Sequence, residues 1–125
     1  MIDIQEFKQR FPRMFRKLDY IEAPKGWKDL IEHMCLDIIK YEAFFSQQHL
    51  YQPFAFEQIK QKFGALRVYY LGGAEGHPAK PISDTVRAYE DASTKICCVC
   101  GSTDVRPMRM GRTIWGSPSC KDCIK

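Results

Sequence analysis

Four cysteines near the C-terminus have the types and spacing that could bind a metal. Cys97 and Cys100 form one pair, and Cys120 and Cys123 form a second pair after 19 intervening residues. Two thiolates from each of two tight turns together supply the tetrahedral ligand set that Zn²⁺ takes in structural sites. The spacing therefore predicts one structural zinc ion. Because the four thiolates would fill the coordination sphere, we expect no open position for catalysis.

The first ligand of this quartet is ambiguous, because Cys98 directly follows Cys97. Cys97 keeps two residues between itself and Cys100, whereas Cys98 leaves only one. Gly101 follows the pair, and glycine readily adopts the positive φ that such a turn often needs. We assign Cys97 as the first ligand and keep Cys98 as the alternative.

A disulfide framework and a thioredoxin-like redox pair are the competing interpretations of these cysteines. Disulfides persist in oxidising compartments, and the first residues of the sequence lack the basic and apolar regions of a signal peptide. A redox pair needs one C-x-x-C motif, whereas this chain has two. Cys35 lies on an apolar helix face, so we expect it to be buried as a small hydrophobic residue.

The charge of the chain is mildly basic. The 125 residues carry 19 Lys and Arg against 15 Asp and Glu, a formal net charge of +4. Four deprotonated thiolates on one Zn²⁺ remove two positive charges, which leaves a net charge of about +2. That excess is smaller than is typical of a dedicated DNA-binding domain. No apolar run approaches membrane-spanning length, so we expect no membrane association and a cytoplasmic location.

The elements that must position the cysteines indicate an α+β fold with a helical N-terminal part. Asp3 is a candidate cap for a first short helix, which Pro12 ends. A long amphipathic helix is predicted from Trp27 to Phe45, where apolar residues recur at i, i+3, i+4 and i+7. We expect this stripe to pack in the core.

Residues 54–71 are predicted to form a small antiparallel β-hairpin with its turn at Phe63-Gly64, after a polar connection over 47–53. A helix over Glu57–Phe63 is the alternative, because apolar residues there also fit a helical period. If the alternating face of Leu66, Val68 and Tyr70 is buried, then Arg67 and Tyr69 point outward.

The glycine- and proline-rich segment 72–81 is the best internal boundary. It divides an α+β core, residues 1–81, from residues 82–125, and we expect the two to pack as one unit. In the second part, Ser83 is predicted to cap a helix that continues to about Lys95 and leads directly into Cys97. Between the cysteine pairs, residues 105–115 suit the two-stranded hairpin of a C-terminal four-cysteine zinc ribbon.

Three features of the sequence match a known group of proteins: Gly26-Trp27 opening a long helix, the segment Lys62–Tyr69, and a helix that runs into Cys97-x-x-Cys100-Gly101. In these features the chain resembles small zinc-ribbon proteins of phages and mobile elements. The resemblance covers most of residues 26–123. It implies an accessory protein that acts on a host or phage macromolecule, and it brings no catalytic residues with it.

The remaining residues favour binding over catalysis. His33, His49 and His77 match no histidine-containing catalytic motif. We therefore expect a non-enzymatic, zinc-stabilised protein that inhibits or modulates a host protein or nucleoprotein complex, as an anti-defence factor does. A nucleic-acid-binding zinc-ribbon regulator and a metal-dependent nuclease are the alternatives. The candidate partner-binding residues are basic and aromatic, types that contact phosphates, bases and protein interfaces: Arg106, Arg109, Arg112, Trp115, Lys121, Arg67 and Tyr69.

Overall fold

The computed structural model describes residues 2–45, 51–74 and 80–102. This part of the chain is an α+β fold of helices and a two-stranded antiparallel hairpin, with the hydrophobic core between them. No helix among the described residues is long and apolar enough to cross a membrane. The elements in chain order are α1 (Ile4–Arg10), a 3₁₀ turn (Lys25–Trp27), α2 (Lys28–Phe45), β1 (Tyr51–Lys62), β2 (Ala65–Ala74) and α3 (Lys80–Ser93).

The N-terminal region folds around aromatic side chains. Asp3 caps α1, as predicted, and its carboxylate accepts a hydrogen bond from the backbone N–H of Gln5 at 3.0 Å. The ring of Phe15 lies 5.4 Å from that of Phe7 and 5.0 Å from that of Phe56 in β1. Tilted rings at these separations add to the stabilisation that comes from burying their area. The aromatic cluster therefore joins the N-terminal helix to the hairpin.

The long helix α2 is confirmed, and most of its predicted stripe lies in the core, but Tyr41 of that stripe is 40% exposed. Ile31, Met34 and Ile38 are fully buried, and so is Cys35. Burial raises the pKa of the Cys35 thiol well above its ordinary value, because a thiolate there would lose its hydration. Cys35 is therefore a packing residue, as its position on the apolar face predicted.

The hairpin is confirmed, but β1 is longer than expected and contains a bulge. Tyr51, Gln52 and Pro53 belong to the strand, so the predicted connection over 47–53 is wrong at its end. Between Phe56 and Gln58, β1 advances two residues while β2 advances one. The extra residue shifts the alternation by one position, which places Ile59 on the buried face with Phe56. The three-residue spacing between Phe56 and Ile59, which would also fit a helix, therefore arises from a bulge in a strand.

Both edges of the hairpin are covered. Glu22 lies along β1, where its N–H donates to the carbonyl of Ile59 at 2.9 Å and its carbonyl accepts from Gln61 at 3.0 Å. On the other edge, the N–H of Leu66 donates to Ser93 Oγ of α3 at 2.8 Å. At these positions the edge backbone groups are not available to pair with another strand.

Helix α3 begins earlier than predicted. It starts at Lys80, so Ser83 lies inside the helix and the prediction that Ser83 is its N-cap is wrong. Pro81 occupies the first turn, where the missing N–H of proline is tolerated. The helix packs against α2 and β2. Its last turns then lead into Cys97, as expected.

Candidate functional site

The first cysteine pair lies on a tight turn that directly follows α3. The N–H of Gly101 donates to the carbonyl of Cys97 at 3.0 Å, and the N–H of Cys97 donates to the carbonyl of Ser102 at 2.8 Å. Gly101 has φ +80°, a value that favours glycine. The glycine that the sequence places after the pair therefore has the conformational role expected of it.

Within this turn, the sulfur of Cys97 receives a backbone hydrogen bond. The N–H of Val99 points to Cys97 Sγ at 3.4 Å. Hydrogen bonds to a ligating atom orient it and support the charge of a bound thiolate. Cys97 is fully buried, whereas Cys100 is exposed. Within the described residues, the first pair thus consists of one buried and one exposed cysteine on a single turn.

The turn docks on the start of α2. The N–H of Gly26 donates to the carbonyl of Cys98 at 3.0 Å, and the indole N–H of Trp27 donates to the carbonyl of Ile96 at 3.0 Å. Trp27 is fully buried. A residue with a side chain at position 26 would place its Cβ 2.2 Å from the carbonyl oxygen of Cys97. Only glycine therefore allows this approach of the two backbones.

The second half of the predicted site, Cys120 and Cys123, lies outside the described residues. Within residues 2–45, 51–74 and 80–102, no three His, Cys, Asp or Glu side chains form a group that could hold a metal ion. Most of the predicted partner-binding residues also lie outside the described part: Arg106, Arg109, Arg112, Trp115 and Lys121.

The other two predicted partner-binding residues lie on the exposed side of the hairpin. Leu66 and Val68 are buried, and Arg67 and Tyr69 alternate with them, so that Tyr69 is 45% exposed. Lys60 of β1 lies directly opposite Arg67. Its ammonium also lies over the ring of Tyr69, 5.5 Å from the ring centroid. The structure therefore brings two cations and one aromatic ring together on this side.

The tip of the hairpin continues this surface. Phe63 is 83% exposed and has φ 52°, followed by Gly64 with φ 79°. Successive positive φ values are those of a two-residue turn whose twist matches the strands, where Asn or Asp normally precedes the glycine. The ammonium of Lys62 lies 5.6 Å from the centroid of the Phe63 ring. We call the set Lys60, Lys62, Phe63, Arg67 and Tyr69 the outer face of the hairpin.

A cleft at the base of this face is lined by carboxylates. Asp19, Glu22 and Glu57 line it together with Tyr69. A metal-dependent nuclease needs carboxylates that converge on one point. In the described part of the chain, these three do not form a group that could hold a metal ion.

Comparison with known proteins adds no assignment. No family model matches this chain, and no curated protein or solved structure is significantly similar to it. The resemblance to zinc-ribbon proteins of phages and mobile elements thus stays a prediction from the motifs.

Several residues that shape these two sites were not singled out from the sequence. Lys60 and Lys62 were missed because the bulge at Glu57 sets which β1 side chains point outward. A strict two-residue alternation from Phe56 would place both lysines on the buried face. For Phe63 the sequence predicts only a position in a turn. A bulky aromatic before Gly64 is unusual in a hairpin turn, and that departure was a signal available in the sequence.

Proposed function

We propose that this chain is a non-catalytic binding protein that docks on a macromolecular complex through the outer face of its hairpin. The observation that carries this proposal is the grouping of three cationic side chains with two exposed aromatic rings on one face. Aromatic and arginine side chains are enriched among the residues that dominate binding energy at interfaces. Large aromatic rings that remain in contact with water contribute little to the stability of the isolated protein. A bound partner would bury them.

In this proposal the cysteine quartet has a structural role. Cys97, Cys100, Cys120 and Cys123 hold one Zn²⁺, which ties the C-terminal segment to the end of α3. Four thiolates around the metal leave no site for a reacting water. The geometry of the Cys97 turn supports this assignment, because a backbone N–H already points to the sulfur of the first ligand.

The motifs shared with phage and mobile-element proteins suggest the setting. We place the protein in the cytoplasm, where it binds and inhibits or modulates a host protein or nucleoprotein complex. The contact surface of that complex is expected to carry negative charge, since it has to complement Lys60, Lys62 and Arg67.

Affinity purification with matched charge-reversal variants tests this function. The tagged wild-type protein is expected to recover a stoichiometric complex from host lysate, and Lys60→Glu with Arg67→Glu is expected to abolish that recovery. The control, Arg13→Glu with Lys95→Glu, makes the same change in net charge at two exposed positions that join no ion pair among the described residues. A complex recovered equally by both double variants would show that the hairpin is not the interface.

A further inference from the structure

We infer that the outer face of the hairpin binds single-stranded nucleic acid, by contacting its phosphates with Lys60, Lys62 and Arg67 and stacking its bases on Tyr69 and Phe63. This inference rests on the proposed function, because it names the chemistry of the partner at the same surface. It arises from three features of that face: an unbalanced charge, two strongly exposed rings, and their arrangement along one extended hairpin.

The charge on the two strands of this face is unbalanced, while the carboxylates of Asp19, Glu22 and Glu57 lie beside Tyr69 at its base. Residues 58–71 contain three basic side chains and no acidic one. Lys60 and Arg67 are direct cross-strand partners, and like charges at such positions destabilise a sheet. Neither side chain joins an ion pair within the part of the chain that the structure describes. An anionic partner would convert this repulsion into attraction, which explains why two cations share one position of the ladder.

The exposed rings favour nucleic acid over other anions. Tyr69 and Phe63 each have one face near an ammonium, at 5.5 and 5.6 Å from the ring centroids. Phe63 also holds a positive φ of 52°, which costs a bulky residue energy that glycine or asparagine would avoid. Every base offers a flat π surface to such rings while its phosphate meets the neighbouring cation. A polyanion without aromatic groups would satisfy only the cations.

The arrangement of the rings favours a single strand. Tyr69 lies five positions beyond Gly64, so its ring and the tip that carries Phe63 are roughly 17 Å apart along the strand at about 3.3 Å per residue. Stacking on both requires bases that are not paired and stacked in a duplex. An anionic membrane could bury Phe63 at the tip of the hairpin. It would not reach Tyr69, which lies on the side of the hairpin away from the tip. Tyr69 borders the cleft lined by Asp19, Glu22, Glu57 and Lys17, so we expect the phosphates to follow Lys60, Lys62 and Arg67 and not to enter the cleft.

Fluorescence polarisation with a short labelled oligo(dT) tests the inference on the 125-residue chain. We expect binding at low salt that weakens as salt increases. Lys60→Gln with Arg67→Gln is expected to make the slope of log affinity against log salt shallower by about 1.4, because each lost phosphate contact on a single strand removes about 0.7. The control, Arg13→Gln with Lys95→Gln, is expected to leave that slope nearly unchanged.

The aromatic contribution is tested separately. Tyr69→Ala is expected to weaken oligo(dT) binding roughly tenfold or more, with the salt slope retained. Tyr41→Ala removes a tyrosine of similar exposure on α2 and is expected to leave the affinity unchanged. Circular dichroism and thermal melting are used to verify that each variant is folded.

Three outcomes would overturn the inference: no oligo(dT) binding at low salt, equal effects of the hairpin variants and their controls, or tighter binding to duplex DNA, polyglutamate or phosphatidylserine vesicles than to oligo(dT). The broader function has a separate readout. If oligo(dT) does not bind while recovery of the host complex still depends on Lys60 and Arg67, the nucleic-acid inference fails and the binding function stands. If recovery of the host complex does not depend on Lys60 and Arg67, the outer face of the hairpin is not the interface.

Discussion

The backbone of Gly26 is in direct contact with the turn that carries the first cysteine pair. Its N–H donates to the carbonyl of Cys98 at 3.0 Å, and a Cβ at this position would lie 2.2 Å from the carbonyl oxygen of Cys97. The neighbouring Trp27 adds a hydrogen bond from its indole to Ile96. The start of α2 therefore acts as a platform that fixes the position of the turn.

Replacement of Gly26 by alanine is expected to displace the turn. Because the clash is with backbone atoms, relief requires movement of a whole segment, and we expect a loss of about 2 kcal/mol in the free energy of unfolding. Urea denaturation of the wild type and Gly26→Ala measures this loss. Lys25→Ala, an exposed neighbour, is the control and is expected to change the stability by less than about 0.5 kcal/mol. Equal effects of the two substitutions would contradict the close approach.

Removal of the Ser93 hydroxyl is expected to destabilise the hairpin edge. Ser93 is fully buried and accepts the N–H of Leu66 at 2.8 Å. Ser93→Ala leaves that buried N–H without its partner, which costs about 1–3 kcal/mol. Chemical denaturation gives the value. Thr94→Ala is the matched control, since the Thr94 hydroxyl is exposed and bonds only to Asp91 within the same turn. A loss for Ser93→Ala no larger than for Thr94→Ala would refute this role.

The cysteine quartet is expected to bind about one zinc ion per chain, as a closed tetrathiolate site does. Elemental analysis after purification under reducing conditions measures the ratio. Cys97→Ser is expected to lose most of the metal and to lower the melting temperature, because metal binding is coupled to folding. Cys98→Ser, which changes the adjacent residue, is expected to retain the zinc. Metal loss in Cys98→Ser alone would assign the ligand to Cys98, and a metal-free wild type would remove the zinc site altogether.

Alkaline pH is expected to weaken the contact between α3 and α2. Burial and the hydrogen bond that its hydroxyl donates to Asp37 raise the pKa of Tyr89 to about 12, compared with about 10 in an unfolded chain. Above pH 10 the unfolded state therefore releases this proton first, and the free energy of unfolding falls as the pH rises. The contribution is complete below about pH 10 and is lost as the pH passes about 12.

Tyr89→Phe is expected to make this alkaline dependence shallower without abolishing it, because burial also raises the pKa values of Cys35 and Tyr70. The free energy of unfolding is measured at several pH values from about 9 to 12. Tyr20→Phe alters an exposed tyrosine and is expected to keep the wild-type dependence. A Tyr89→Phe profile that falls as steeply as the wild type would show that another group is responsible.

Some elements of the fold could be predicted from the sequence, because they depend only on residues close together in the chain. The apolar period of α2 and the cap at Asp3 predicted helices, and the alternation of Leu66, Val68 and Tyr70 predicted the orientation of Arg67 and Tyr69. Each of these features depends on residues a few positions apart, where side-chain spacing sets which face is buried. The cysteine spacing likewise predicts the zinc ligands without knowledge of the fold, and that prediction awaits its metal analysis.

Which distant segments meet depends on how the whole chain packs. No spacing rule links Gly26 to the carbonyl of Cys98, because that contact depends on how α3 packs against α2. The bulge at Glu57, which turns Lys60 toward Arg67 and Tyr69, depends on the pairing register of two strands. Register and docking are set by the burial of the whole core and not by any local preference. The sequence thus predicted the cysteine turn and two residues of the outer face of the hairpin. The fold added the contact of Gly26 with that turn and placed Lys60 and Lys62 on the same face.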